Sequence, residues 1–522
     1  MPLVEAVLAM MAACVALAVM ARFAGLPYAV VLILAGSAIA FIPGLPDISL
    51  SPELALAFFL PPLLQGSAFR TDWNAFRRNL RPILLLAVGC VFFTAFLIGW
   101  VARLLIPEMP WAAAIALGAI LAPPDAVAAA AVLQRLNLPR RIVTVLEGES
   151  LVNDASALVI YRFAIAAMAA GSFVPHEAVG SFLLLGLGGI AMGWAVARGT
   201  LWAIARLRDT LLETALSFLA CYASFLAAEA LHLSGVMAVV TTGIMMGQAQ
   251  HRVFSARTRL EARAVWEFVE FVLTSLVFIL IGLQLNDIVN RLGDRGALEL
   301  AGLALVISFA LIVSRFIWVL PAAALPRLIP SIQRKDPLPP MSHLVVISWA
   351  GMRGVVSLAA AIALPLNFPE RDLIIFLAFC AILATLVLQG TTLEWLIKRL
   401  GLVQQPHPHG IDPEEAHARH VAAEAMLGAI RHRAGDVLYG PIAQDLLAEH
   451  VDRAGHLKRV TQGGAAVAAE RAARRAVRLE GLEAARTAIL TLRAEQGLAE
   501  DLLTKLSQEL DFEENRLRNA LG

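Results

Sequence analysis

Glu149-Ser150-Leu151-Val152-Asn153-Asp154 brings two carboxylates, an amide and a hydroxyl into a segment, 142–172, that is otherwise as apolar as a bilayer span. A charge at bilayer depth costs roughly 2.5–3.5 kcal/mol on insertion scales, so ionisable groups there mark an ion or proton pathway. Helical spacing divides the motif between two faces, Glu149 with Asn153 and Ser150 with Asp154. The hydroxyl and carboxylate of the second face are hard oxygen donors suited to a small dehydrated cation. Ser150 has no neighbouring His in the spans to act as a base, so nucleophilic catalysis is not expected and the chain does not read as an enzyme.

Two further segments place charge at similar depth. In Leu121-Ala122-Pro123-Pro124-Asp125-Ala126-Val127, consecutive prolines remove two backbone donors and disfavour a continuous helix, with Asp125 on the break. Broken helices at membrane depth line cavities, where freed carbonyls and helix ends hold ions. In Ser348-Trp349-Ala350-Gly351-Met352-Arg353-Gly354, a permanent cation lies between two glycines in a second segment that reads as broken. Arg353 needs a partner, and Glu149 is the expected one, which would leave Asp125 and Asp154 free to exchange ligands.

The elements that position these groups follow from the hydropathy pattern. The 522 residues are 59% hydrophobic and 16% charged, and the apolar residues come in runs of about 20, the length of a membrane-spanning helix. An all-α polytopic membrane protein is predicted. Thirteen spans are expected, near 3–21, 27–44, 50–68, 82–105, 110–133, 142–170, 178–204, 211–231, 234–249, 264–286, 297–325, 342–366 and 373–397. The first is read as a retained span, because it lacks a basic leader and a cleavage site. Counting Lys and Arg in alternate loops gives 20 on one side and 5 on the other, which predicts the N-terminus outside and the C-terminus in the cytoplasm. The net charge of +1 gives no reason to expect nucleic acid, and Cys14, Cys90, Cys221 and Cys380 read as buried small hydrophobes. Spans five and twelve, the two interrupted ones, lie seven apart, the mark of inverted repeats.

Pro406-His407-Pro408-His409-Gly410 reads as a linker, which divides the chain into a transmembrane domain, 1–404, and a cytosolic helical tail, 405–522. Residues 411–522 carry 15 basic and 18 acidic side chains, and Leu498, Leu502, Leu506 and Leu510 recur at helical spacing, continued by Leu517 and Leu521. Seven histidines of the tail read as solvated surface, with pH sensing, metal binding or a tail regulator as the other readings.

Pro124-Asp125-Ala126, Glu149 to Asp154, Phe278-Ile-Leu-Ile-Gly282-Leu-Gln284-Leu and Gly351-Met-Arg353-Gly354 together resemble the bacterial monovalent cation/proton antiporters of the sodium/proton exchanger type, over residues 1–400. The resemblance implies Na⁺ (or Li⁺) for H⁺ exchange by alternating access, serving sodium transport and pH homeostasis in the bacterial inner membrane, with no cofactor. K⁺/H⁺ exchange on the same fold and, further off, a cation channel or membrane sensor are the alternatives. It implies a homodimer among membrane lipids. The scaffold spans would be 3–68 and 178–286, and the moving core 82–170 and 297–397 with its two crossed, interrupted helices. Carried over, Asp125, Ser150, Asp154 and the Pro124 carbonyl would bind the ion, Asn153 would support them, and Glu149 with Arg353 would stabilise the core. Members of the wider superfamily with Asp in place of Asn153 tend to be electrogenic, so by resemblance Asn153-Asp154 implies one-for-one, electroneutral exchange. Three departures stand out: Pro124-Asp125-Ala126 for Thr-Asp-Pro, Gln65-Gly66 where a Glu is common, and Thr274 for an Asn.

Overall fold

The computed structural model describes residues 2–42, 52–125, 133, 136, 138–170, 175–207, 209–292, 295–403, 413–435, 441–447, 465–496 and 500–519, and every regular element among them is a helix. The chain divides into two compact units, Met1–Gln404 and Gln405–Gly522.

The first unit opens with α1 (Pro2–Ala24), α2 (Tyr28–Ile39) and α3 (Pro52–Arg70). Gly25, at φ 69°, ends α1 in the left-handed conformation that glycine tolerates, and Pro27 leads into α2. Asp72 then caps α4 (Trp73–Arg78), accepting from the backbone N–H of Asn74 at 2.9 Å and Ala75 at 3.1 Å. α5 (Leu80–Leu105), with a π-helical stretch at Leu85–Cys90, α6 (Trp111–Leu121) and α7 (Arg140–Ala170) follow.

α8 (Pro175–Leu207), α9 (Thr210–Ala230), α10 (Gly235–Val253) and α11 (Ala256–Leu283) form the next run. Asp209, Ser234 and Ser255 cap the last three, each side chain accepting from a backbone N–H of the first turn. The unit closes with α12 (Leu285–Arg291), α13 (Ala297–Ala324), α14 (Pro330–Lys335), α15 (Met341–Trp349), α16 (Val355–Ile362) and α17 (Arg371–Arg399). A helix thus lies in each of the thirteen predicted apolar segments. Among the described residues, seven helical stretches are long and apolar enough to cross a membrane by length and composition.

Packing sorts these helices into two groups. α5, α6 and α7 pack together and, through α13, against α15 and α17. The second group joins α2 to α11, and α10 to α3, α8 and α9. Lipid tails are as apolar as Leu, so helices in a bilayer associate through close van der Waals contact, which small residues permit. Gly282 of the Phe278–Gln284 motif supplies one such contact: a β-carbon there would lie 2.5 Å from the Ile33 carbonyl oxygen on α2.

In the second unit, helices span Pro413–Arg433, Ala465–Gln496 and Glu500–Asn519. Arg486 bridges the last two through Asp511 and Glu514. The apolar stripe of the final helix is offset from the predicted one, for Leu503 is buried while Leu502 is 43% exposed. Leu498, Leu521 and the 405–410 linker lie outside the described residues.

Candidate functional site

α6 has 11 residues and ends at Leu121. At 1.5 Å per residue it rises about 16 Å, roughly half a hydrocarbon core of about 30 Å. Pro123 and Pro124 follow its end after Ala122. The nine residues of α15 end similarly at Trp349, and residues 350–354 are non-helical before α16 begins. The continuation of span five beyond Asp125, residues 126–132, lies outside the described region.

The two non-helical segments meet. The Asp125 N–H donates to the Met352 carbonyl at 2.7 Å, and the Asn153 side-chain amide on α7 donates to the Pro124 carbonyl at 2.7 Å. A carbonyl released by the proline break is thereby satisfied in a dry interior, where leaving it unpaired costs about 1–3 kcal/mol. Both glycines of the second motif are close-approach positions. A β-carbon on Gly354 would lie 1.7 Å from Asp125 Oδ2, and one on Gly351 would lie 2.2 Å from Arg315 Cδ. The Arg353 N–H donates to Thr385 Oγ1 on α17 at 3.1 Å, which ties the second break to that helix of the first group.

α7 presents two faces, as its spacing predicts. Ser150 and Asp154 line a cavity of about 50 Å³ together with Asp125, walled by Leu60, Leu63 and Leu64 of α3, Leu151 of α7 and Val356 of α16, with Ser67 and Thr274 as further oxygens. That volume holds a few water-sized occupants. Asp154 is 6% exposed and stands in electrostatic reach of Asp125. Pro124 is not among the residues lining the cavity, and its carbonyl is engaged by Asn153.

The opposite face corrects one expectation. Glu149 is paired with Arg315 of α13 and not with Arg353: Arg315 Nη1 donates to Oε1 at 2.6 Å and Nη2 to Oε2 at 3.0 Å. Arg315 Nη2 also donates to the Ile347 carbonyl at 2.9 Å. The planar guanidinium matches the carboxylate fork, a geometry that reaches Glu149 because Gly351 leaves α15's end open for the side chain to pass. Arg353 is equally buried, within electrostatic reach of Glu149, and its Nε and Nη1 make no hydrogen bond. The sequence does not single out Arg315, because an arginine in an unbroken apolar helix carries no local mark of its partner.

The pattern of the transmembrane sodium/hydrogen exchanger family matches residues 9–399. The chain belongs to that family. Among relatives of this exchanger, an uncharacterised Na⁺/H⁺ exchanger of Mycobacterium bovis is 35% identical over 94% of this chain and 91% of its own length. A sodium, potassium, lithium and rubidium/H⁺ antiporter of Bacillus subtilis is 36% identical over 66% of this chain and 54% of its own. The Na⁺/H⁺ antiporter ApNhaP of Aphanothece halophytica is 33% identical over 73% and 71% respectively. The solved sodium proton antiporter MjNhaP1 of Methanocaldococcus jannaschii matches in fold with a TM-score of 0.61, covering 78% of this chain and all of that one at 18% identity.

A charge cluster is organised around Asp336. Asp336, between α14 and α15, accepts from Arg81 at 2.8 Å, Arg141 at 2.5 Å and Arg327 at 2.7 Å. Partial burial works to raise its pKa, but the hydrogen bonds and charges of Arg141 and Arg327 outweigh this and hold the carboxyl below its ordinary value. The cluster joins the start of α5 and α7 to the loop after α13.

Proposed function

We propose that this exchanger carries Na⁺ or Li⁺ against H⁺ by alternating access, with Asp125, Ser150 and Asp154 as the shared binding groups. The observation that carries the reading is their convergence on one small cavity beside the break at Asp125. Two carboxylates so placed titrate as a pair, and a cation and a proton compete for the same oxygens.

Charge balance supplies the exchange rule. Glu149, Asp125 and Asp154 ionised, against Arg315 and Arg353, leave the buried group with a net charge of −1. One Na⁺ or one H⁺ neutralises it. Either loaded form crosses the low-dielectric interior without net charge, while the empty form carries one, and a charge at that depth is penalised by roughly 2.5–3.5 kcal/mol or more. Movement is thus coupled to occupancy, and the stoichiometry is one for one and electroneutral. Pro124 takes part through Asn153, which holds the break, and Glu149 serves the core through Arg315.

The reading extends to thirteen spans in inverted repeats with two crossed, interrupted helices, N-terminus outside and C-terminal tail in the cytoplasm of a bacterial inner membrane. The group α5–α7 with α13–α17 would be the moving core, and α1–α3 with α8–α11 the scaffold of a homodimer. The packing groups support this division. Several alkali cations stand in the name of the Bacillus subtilis relative, which makes K⁺ the second cation to be tested here.

Fluorescence dequenching in everted vesicles, with Na⁺, Li⁺ and K⁺ added in turn and the potential clamped, is the test. Asp154→Asn is expected to abolish cation-driven proton movement, and its persistence at normal rates would remove Asp154 from the mechanism. A rate that follows the clamped potential would overturn electroneutrality.

A further inference from the structure

Gly66 faces an unusual neighbour. A β-carbon at this position would lie 1.7 Å from Glu270 Oε1, so the carboxylate of α11 occupies the space that a side chain on α3 would fill. Arg70, the last residue of α3, donates to the same oxygen at 2.7 Å. The pair lies beside the cavity and not in it. Thr274, one turn along α11 from Glu270, and Ser67, one turn before Arg70 on α3, both line the cavity. Tyr28 is in electrostatic reach of both Asp125 and Glu270, and Arg70 is also in reach of Glu147, one turn before Ser150 on α7. Three helices therefore carry cavity groups in one layer, and Arg70, Glu147 and Glu270 in the next layer towards the arginine-rich ends of α3, α7 and α11. The Arg70 side chain is 47% exposed and that of Glu270 19%, so solvent reaches the pair.

We infer that the Arg70–Glu270 pair is an electrostatic gate on the arginine-rich approach to the cavity, where Glu270 concentrates the incoming cation and Arg70 opposes it. This rests on the exchange reading given above. Glu270 acts in this role through the field at the mouth and touches no ion in the cavity itself. A carboxylate at a narrow, apolar-walled mouth raises the local concentration of cations, and an adjacent guanidinium cancels part of that field. Arg70 has carboxylates on both packing groups within reach, Glu270 on α11 and Glu147 on α7, so its allegiance alters the field at the mouth.

The two partners predict opposite effects, which separates a gate from a merely structural ion pair. In everted vesicles, with Na⁺ presented at the face that is cytoplasmic in the cell, Glu270→Gln is expected to raise the half-saturating Na⁺ concentration roughly three- to tenfold. Arg70→Gln is expected to lower it, and the double variant to return towards the parent value. The maximal rate should stay close to that of the parent in all three. Equal-direction shifts in the two single variants, or no shift in either, would overturn the inference while the parent still exchanges. Absence of exchange in the parent would overturn the proposed function and this inference with it. Where Glu270→Gln is not recovered from the membrane, Arg70→Gln decides alone: a lowered half-saturating concentration supports the gate, and an unchanged or raised one overturns it.

Discussion

Arg315 holds both carboxylate oxygens of Glu149, at 2.6 and 3.0 Å, with each side chain 1% exposed. A buried pair of this kind contributes little when compared with an apolar pair of the same volume, yet removing one partner strands a charge at a cost of about 3–5 kcal/mol. Arg315→Ala and Glu149→Ala should each lower the unfolding free energy in detergent by that amount, and Arg315→Met with Glu149→Leu should recover most of it. A single-site loss under about 1 kcal/mol would mean that the ion pair is solvated in solution.

Gly354→Ala is expected to displace the Asp125 carboxylate, since the added carbon would lie 1.7 Å from Oδ2. Exchange should fall at least roughly tenfold, about 1.4 kcal/mol in barrier height. Gly302→Ala is the control, for nothing lies within 4 Å of its β-carbon position. Equal activities in the two variants would contradict the close approach of Asp125 to this glycine.

Asn153→Ala leaves the Pro124 carbonyl without its donor in a buried setting. The unsatisfied acceptor should cost about 1–3 kcal/mol of stability. Because the same bond fixes the break that carries Asp125, cation affinity should weaken along with the midpoint. Thermal unfolding and half-saturating Na⁺ measured on one preparation check both parts; an unchanged midpoint would count against the bond.

The pH dependence of Asp336 has a definite sign. Its folded pKa is depressed, so the stability it lends is complete above the unfolded value of about 3.9 and is lost as pH falls through the lower, folded value. Asp336→Asn should reduce stability at neutral pH and flatten the acid limb of the midpoint–pH curve. The curves for the two proteins are expected to converge only below the depressed folded value, to separate as pH rises from there to about 4, and to run parallel above it.

Much was legible without coordinates. Thirteen apolar segments, the proline break before Asp125 and the Ser150–Asp154 face all follow from rules that act within a few residues: span length, the missing proline donor and the 3.6-residue period. The tail's leucine stripe was legible as a helix, but not in its phase. Leu502 and Leu503 are equally apolar, and only the partner helix decides which one is covered.

That carboxylates, prolines and arginines sit within apolar runs of membrane-spanning length is read from the chain alone, because their cost there depends on the solvent and not on neighbours. Which charge meets which was decided by the tertiary structure alone. Arg315 and Arg353 are both mid-depth arginines, and Glu149 is 166 residues from its partner. The choice rests on where α13 carries Arg315 relative to α7 and on the gap at Gly351. Likewise Gly66 reads in the chain as a missing acid, while in the fold its empty side-chain space is filled by the carboxylate of Glu270. Local periodicity cannot carry either fact, since both are set by where distant helices come to rest.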